Sequence, residues 1–123
     1  MRIKIVLATH NQDKCAEILE ILREMPINLL TLNEFPEIGE IIEDGETLEE
    51  NAYIKARTVH KLTNLPTIAD DTGLEVATLN GQPGIYSARY AGENCSYLDN
   101  INKLLQDMTN VPPKKRSALF RTA

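Results

Sequence analysis

Asp70 and Asp71 stand side by side at the end of the short apolar run Ile68-Ala69, with Thr72 and Gly73 directly after them. Adjacent carboxylates are seldom left in a buried strand unless a metal ion or a polar ligand receives their charge. Neighbouring strand side chains point to opposite faces, so at most one of the two can face a given site. The competing reading is a capped turn, since Asp, Thr and Gly are all turn formers. A second candidate is the segment Thr9, His10, Asn11, Gln12, Asp13 and Lys14, between a predicted strand and a predicted helix. A helix N-terminus offers unpaired N–H groups and the positive end of its dipole, which suits phosphate. Thr9 and Asn11 add polar side chains and Lys14 a full charge; plain N-capping with Lys14 in solvent accounts for the same residues. His10 reads as a surface loop residue.

Lys55 is the third candidate. It falls on the apolar line Leu48, Ala52, Val59, Leu62 of a predicted helix, with Asn51 beside it, so its stem points inward. Either the long side chain snorkels past a shallow edge of the core, or it reaches across a cleft toward a phosphate. The loop before this helix carries Glu43, Asp44 and Glu46. Loop carboxylates are commonly solvated, but one of them joining Asp71 makes an oxygen site of the kind magnesium accepts, a few carboxylates completed by water and phosphate.

The elements that must position these residues alternate in type. Residues 2–8 read as a strand and 13–25 as a helix with Cys15, Ile18, Leu19, Leu22 and Met25 on its apolar face, stopped by Pro26. A second strand is expected at 28–32. A helix follows from Thr47, where Thr47 and Glu50 have capping-box spacing, to about residue 63. A short strand runs to Ala69, another spans 74–79, and Asn80-Gly81 marks a tight hairpin. Leu98, Ile101, Leu104, Leu105 and Met108 form the expected buried stripe of a helix over 96–108, and residues 116–123 begin a further strand. The pattern predicts an α/β domain, a mixed sheet flanked by helices.

With 123 residues and 42% hydrophobic content the chain is one domain or part of a larger one, and it is not disordered by composition. Its net charge of -5 argues against a sequence-independent grip on nucleic acid polymers, while a small phosphorylated substrate needs no basic protein. Cys15 and Cys95 form no metal-ligand or disulfide spacing. The opening apolar segment is too short for a signal peptide or a spanning helix, so no membrane is implied and a cytoplasmic location is expected.

Four segments together resemble the inosine/xanthosine triphosphate pyrophosphatase, or Ham1-like, family: Leu7 to Lys14 with Glu17, Glu43 to Ala52 with Lys55-Ala56, Ala69 to Leu74, and Pro83 to Tyr90. They occur in the family's order across essentially the whole chain, and four motifs in register are far more specific than any one alone. The resemblance implies an ITPase-like (Ham1/Maf-type) architecture and magnesium-dependent hydrolysis of ITP, dITP and XTP to monophosphate and pyrophosphate. It implies substrate binding by Thr9, His10, Asn11, Gln12, Asp13, Lys14, Lys55 and Thr72. Glu43 and Asp71 are then the metal residues, with Asp71 also activating the attacking water, and Asp70 orients the loop or the metal's surroundings. A homodimer is expected on the same ground. Family members also carry a Gly-Tyr/Phe-Asp-Pro-x-Phe and a Ser-His-Arg motif that attend to the purine base, and neither occurs in this sequence. The expectation is a single ITPase-like domain over 1–123, shortened relative to the family and with its second lobe incomplete. Two alternatives stay open: a non-catalytic nucleotide-binding fragment, and a Maf-like pyrophosphatase acting on other nucleotides.

Overall fold

A computed structural model describes residues 2–123. The chain divides into two compact units, with the boundary between Asp70 and Asp71.

The first unit is a parallel three-stranded sheet in the order β2-β1-β3, formed by β1 (Ile3–Leu7), β2 (Ile27–Thr31) and β3 (Thr67–Ile68). Parallel neighbours need crossover connections, and these contain α1 (Gln12–Leu22) and α2 (Leu48–Thr63). The core sets Val6 and Ala8 against Leu32 and Val59, with Leu30, Phe35 and Leu65 around them. Helix α1 ends at Leu22, a turn earlier than the apolar pattern indicates, because Met25 and Ile27 already engage in turn hydrogen bonds before β2. At the start of α2 the Thr47 hydroxyl accepts from Glu50 N at 3.1 Å, but the Glu50 carboxylate accepts from Glu46 N at 2.6 Å, so only half of the expected box closes. Asn64, at φ 57°, closes the other end by donating to His60 O. Leu62 is exposed, not part of the buried stripe. Asp70 and Asp71 follow a strand of only two residues and are not within it, so the alternation of strand faces does not govern them.

The second unit is an antiparallel sheet in the order β5-β4-β6, formed by β4 (Thr72–Val76), β5 (Pro83–Gly84) and β6 (Ala118–Thr122). The expected strand over 74–79 ends at Val76, and residues 77–79 form a 3-10 turn. Asn80 and Gly81 do adopt positive φ, 56° and 83°, but inside a connection longer than a two-residue hairpin. Strand β6 pairs with β4 along its whole length. Helix α3 (Tyr97–Asp107) carries the full Ser96/Asp99 capping box, and the hydrogen bonds from Ser96 hold the Asp99 carboxyl below the usual carboxylate range. Its stripe departs from expectation: Leu98, Ile101 and Leu105 are exposed, and Met108 just beyond the helix is the buried member. Within this unit the helix packs chiefly on the 3-10 turn Ser87–Arg89. Tyr90 ties that turn to the helix by donating to Asp107, and burial followed by this bond pushes its phenol up to about 12.

One contact explains the glycine after Asp71 and Thr72. Gly73 is buried, and a Cβ there would collide with the Gly84 carbonyl. Ser87 fixes the same spot, accepting from Leu74 N at 2.9 Å and donating to Gly84 O at 2.6 Å. Overpacking against backbone has no soft side chain to absorb it, so Gly73→Ala is expected to destabilise by about 2–3 kcal/mol. Urea unfolding followed by circular dichroism checks this; an unchanged midpoint would mean that β5 yields freely.

Candidate phosphate and metal site

The loop after β1 is shaped by its own side chains. Buried Thr9 accepts from Asn11 N at 3.1 Å through Oγ1, and Asn11 Oδ1 accepts from Asp13 N at 3.0 Å and Lys14 N at 3.2 Å. Asn11 therefore caps α1 and satisfies two of its orphan donors. In this respect the plain-capping reading holds. Its other half does not, because Lys14 is not left in solvent: Nζ pairs with Asp70 Oδ2 at 2.8 Å. His10 Nε2 lies 2.8 Å from Gly39 O, and Gln12 Nε2 donates to His10 O at 3.4 Å, both at the exposed side of the loop. Asp13 is exposed in the first turn of α1, where its charge suits the helix dipole.

Lys55 is inward, as its place on the helix face requires, and only 8% exposed. Its ammonium donates to the Asp70 carbonyl at 2.5 Å and pairs with Glu43 Oε1 at 3.1 Å. Snorkelling to water is thereby set aside, since the head group is held by an acidic side chain and a carbonyl. Asp70 is thus the hub of the first unit, with its carboxylate on Lys14 and its carbonyl on Lys55. Its second carboxylate oxygen, Oδ1, is buried with no hydrogen-bond partner. Sequence reasoning gave Asp70 only an orienting role. Its adjacency to Asp71 was visible, whereas its pairing with Lys14 is a long-range contact that no local pattern encodes.

Asp71 and Thr72 open the second unit. Asp71 exchanges both backbone hydrogen bonds with Ala123, each 2.9 Å, and Thr72 Oγ1 lies 2.8 Å from Thr122 Oγ1. These bonds extend the β4–β6 ladder and fix the backbone at both residues. Among the described residues no three His, Cys, Asp or Glu side chains converge as a ready-made metal cage. No helix among them is long and apolar enough to cross a membrane.

Cys15, on the inner face of α1, is buried and donates weakly to Thr9 O at 3.9 Å. Burial first, and then the charges of Asp70 and Glu34, push its thiol up from the usual value. A raised thiol carries less thiolate, the reactive form, at mildly alkaline pH. At pH 8, Ellman's reagent is expected to titrate Cys95 at least about tenfold faster than Cys15. Equal rates for Cys95→Ser and Cys15→Ser proteins would contradict it.

A parallel β-α-β unit followed by an antiparallel one defines an α/β protein, with its first strand-to-helix loop capped by Thr9 and Asn11. The chain belongs to the Ham1 family, whose profile matches residues 5–123. It is 49% identical over 118 residues to the dITP/XTP pyrophosphatase of Geobacter sulfurreducens, covering 96% of this chain and 59% of that protein. It is 55% identical over 117 residues to the enzyme of the same name from Vibrio cholerae, covering 95% and 58%. The solved structure of a HAM1 protein from Coxiella burnetii superposes with a TM-score of 0.86 at 43% identity, covering 98% of this chain and 60% of that one. The chain thus spans about three-fifths of the length of these relatives.

Proposed function

We propose that this chain supplies the phosphate- and metal-handling part of an enzyme that hydrolyses ITP, dITP and XTP to monophosphate and pyrophosphate. The observation that carries the reading is the cluster in the first unit, where two lysines of different helices meet two carboxylates and the carbonyl of Asp70. The names of the relatives, dITP/XTP pyrophosphatase, support the substrate class.

Magnesium suits the donors present: all are hard carboxylate oxygens, Asp70 Oδ1 is buried without a hydrogen-bond partner, and the ion accepts one or two carboxylates with water and phosphate completing its shell. Glu43 and Asp71 would hold it, and when bound it would neutralise phosphate oxygens and polarise water. The protein's own groups do the rest. Lys14 and Lys55 turn from their carboxylates toward the triphosphate oxygens, and the loop from Thr9 to Lys14 sets the chain's position. Thr72 contacts the substrate. Asp71 takes a proton from the attacking water as its oxygen bonds to phosphorus and the α–β anhydride bond breaks, releasing pyrophosphate. A homodimer, on family resemblance, and a cytoplasmic location, on the sequence reading above, complete the proposal.

Pyrophosphate release from ITP, dITP, XTP and ATP with magnesium tests this, on the 123-residue chain and on a form extended to the length of its relatives. Release from the inosine and xanthosine substrates in preference to ATP by the extended form is expected. Failure of both forms to release pyrophosphate from any of the four would overturn it.

A further inference from the structure

We propose that Asn51 is a positioning residue that keeps the Glu43 carboxylate within the site through the amide of Gly45; this rests on the pyrophosphatase reading above. Asn51 is 1% exposed, in the first turn of α2, on a buried face shared with Leu48, Ala52, Lys55 and Val59. A buried amide is costly unless bonded. Its Oδ1 accepts from Gly45 N at 2.8 Å, outside its own helix.

The loop it reaches is anchored by side chains, with Ile41 on the core and Gly39 O against His10 Nε2. Residues 39–45 lie in neither helix nor strand, so no ladder of backbone bonds fixes them. The neighbouring tie, Glu46 N to Glu50 Oε2, is exposed and open to competition from water. Gly45 is matched to the contact: a Cβ there would stand 2.7 Å from Asn51 Oδ1 and 2.8 Å from Glu50 Cβ. Asn51 and Lys55 are one turn apart on one face of α2, and Lys55 holds the carboxylate of Glu43 at 3.1 Å. Helix α2 therefore grips the acidic loop twice, at the backbone of residue 45 and at the side chain of residue 43. The two grips differ in kind. Lys55 is charged, and a phosphate that draws it away releases Glu43. Asn51 is neutral and competes with neither phosphate nor cation, so its hold persists and Glu43 remains in place to meet a metal ion.

The test cuts the same bond from both ends in a protein of the relatives' length. Asn51→Leu keeps the volume and removes the acceptor; Gly45→Ala strains the same contact from the loop side, where its Cβ would meet Asn51 Oδ1 and Glu50 Cβ. Each is expected to raise the half-saturating magnesium concentration about tenfold while kcat at saturating magnesium stays within about twofold. The double variant should be no worse than the more affected single one, since both remove one interaction. Independently of turnover, Mn2+ titrated without nucleotide should bind each variant about tenfold more weakly, and the Gly45 amide of Asn51→Leu should lose its protection from hydrogen exchange. Wild-type Mn2+ affinity in both variants, with the Gly45 amide still protected in Asn51→Leu, would overturn the inference. If the parent protein releases no pyrophosphate, the functional reading fails, while the Mn2+ and exchange measurements still decide the role of Asn51.

Discussion

Asp71→Asn is expected to lower pyrophosphate release at least about a hundredfold, the scale of losing a general base or a metal-bound carboxylate. The substitution removes charge and keeps shape, and the backbone bonds of Asp71 to Ala123 do not depend on the side chain. Urea denaturation of the variant shows whether the fold is kept, and with the midpoint retained the lost turnover reports on chemistry. Asp70→Asn should cost less, because its carbonyl continues to receive Lys55. Near-normal turnover by folded Asp71→Asn protein would take this carboxylate out of the reaction.

Lys55→Met has its largest effect on stability, in contrast to the sequence-level picture of a lysine waiting for phosphate. Methionine keeps the stem but leaves the Glu43 carboxylate and the Asp70 carbonyl without their shared donor. Removing one partner of a mostly buried pair strands the other, and about 2–4 kcal/mol is expected here. Glu43 retains some exposure, which places the effect below that of a fully buried pair. Urea denaturation measures it, and Lys55→Met/Glu43→Gln should recover a large part of the loss. An unchanged midpoint with weakened triphosphate binding would restore the earlier picture.

What the sequence made legible follows the range of the interaction. The α/β class, the start of α1 beside Asn11 and the inward stem of Lys55 rest on periodicities and caps within one element, and each has its counterpart in the structure. The partners of the lysines were not legible, since Lys14 with Asp70 and Lys55 with Glu43 join elements that only the fold brings together. Apolar spacing also misled on α3 and at Leu62. Periodicity tells which face of a helix is apolar; it does not tell whether anything covers that face, and here Leu98, Ile101 and Leu105 remain exposed. The roles given to Asp71 and Thr72 stand as proposals resting on the motif and on family resemblance.

The paired lysines and carboxylates of the first unit set the terms on which any ligand can be taken up. Each charge already has a counterion supplied by the protein, so binding is an exchange of partners, and its free energy is a difference between two sets of ion pairs. On the proposed function, a bare triphosphate capturing Lys14 would take it from the Asp70 carboxylate, and a lone cation capturing Glu43 would leave Lys55 with the Asp70 carbonyl. A nucleotide that arrives with its metal replaces both signs in the same event. On the proposed function, this resting charge balance would favour the metal complex over either component alone.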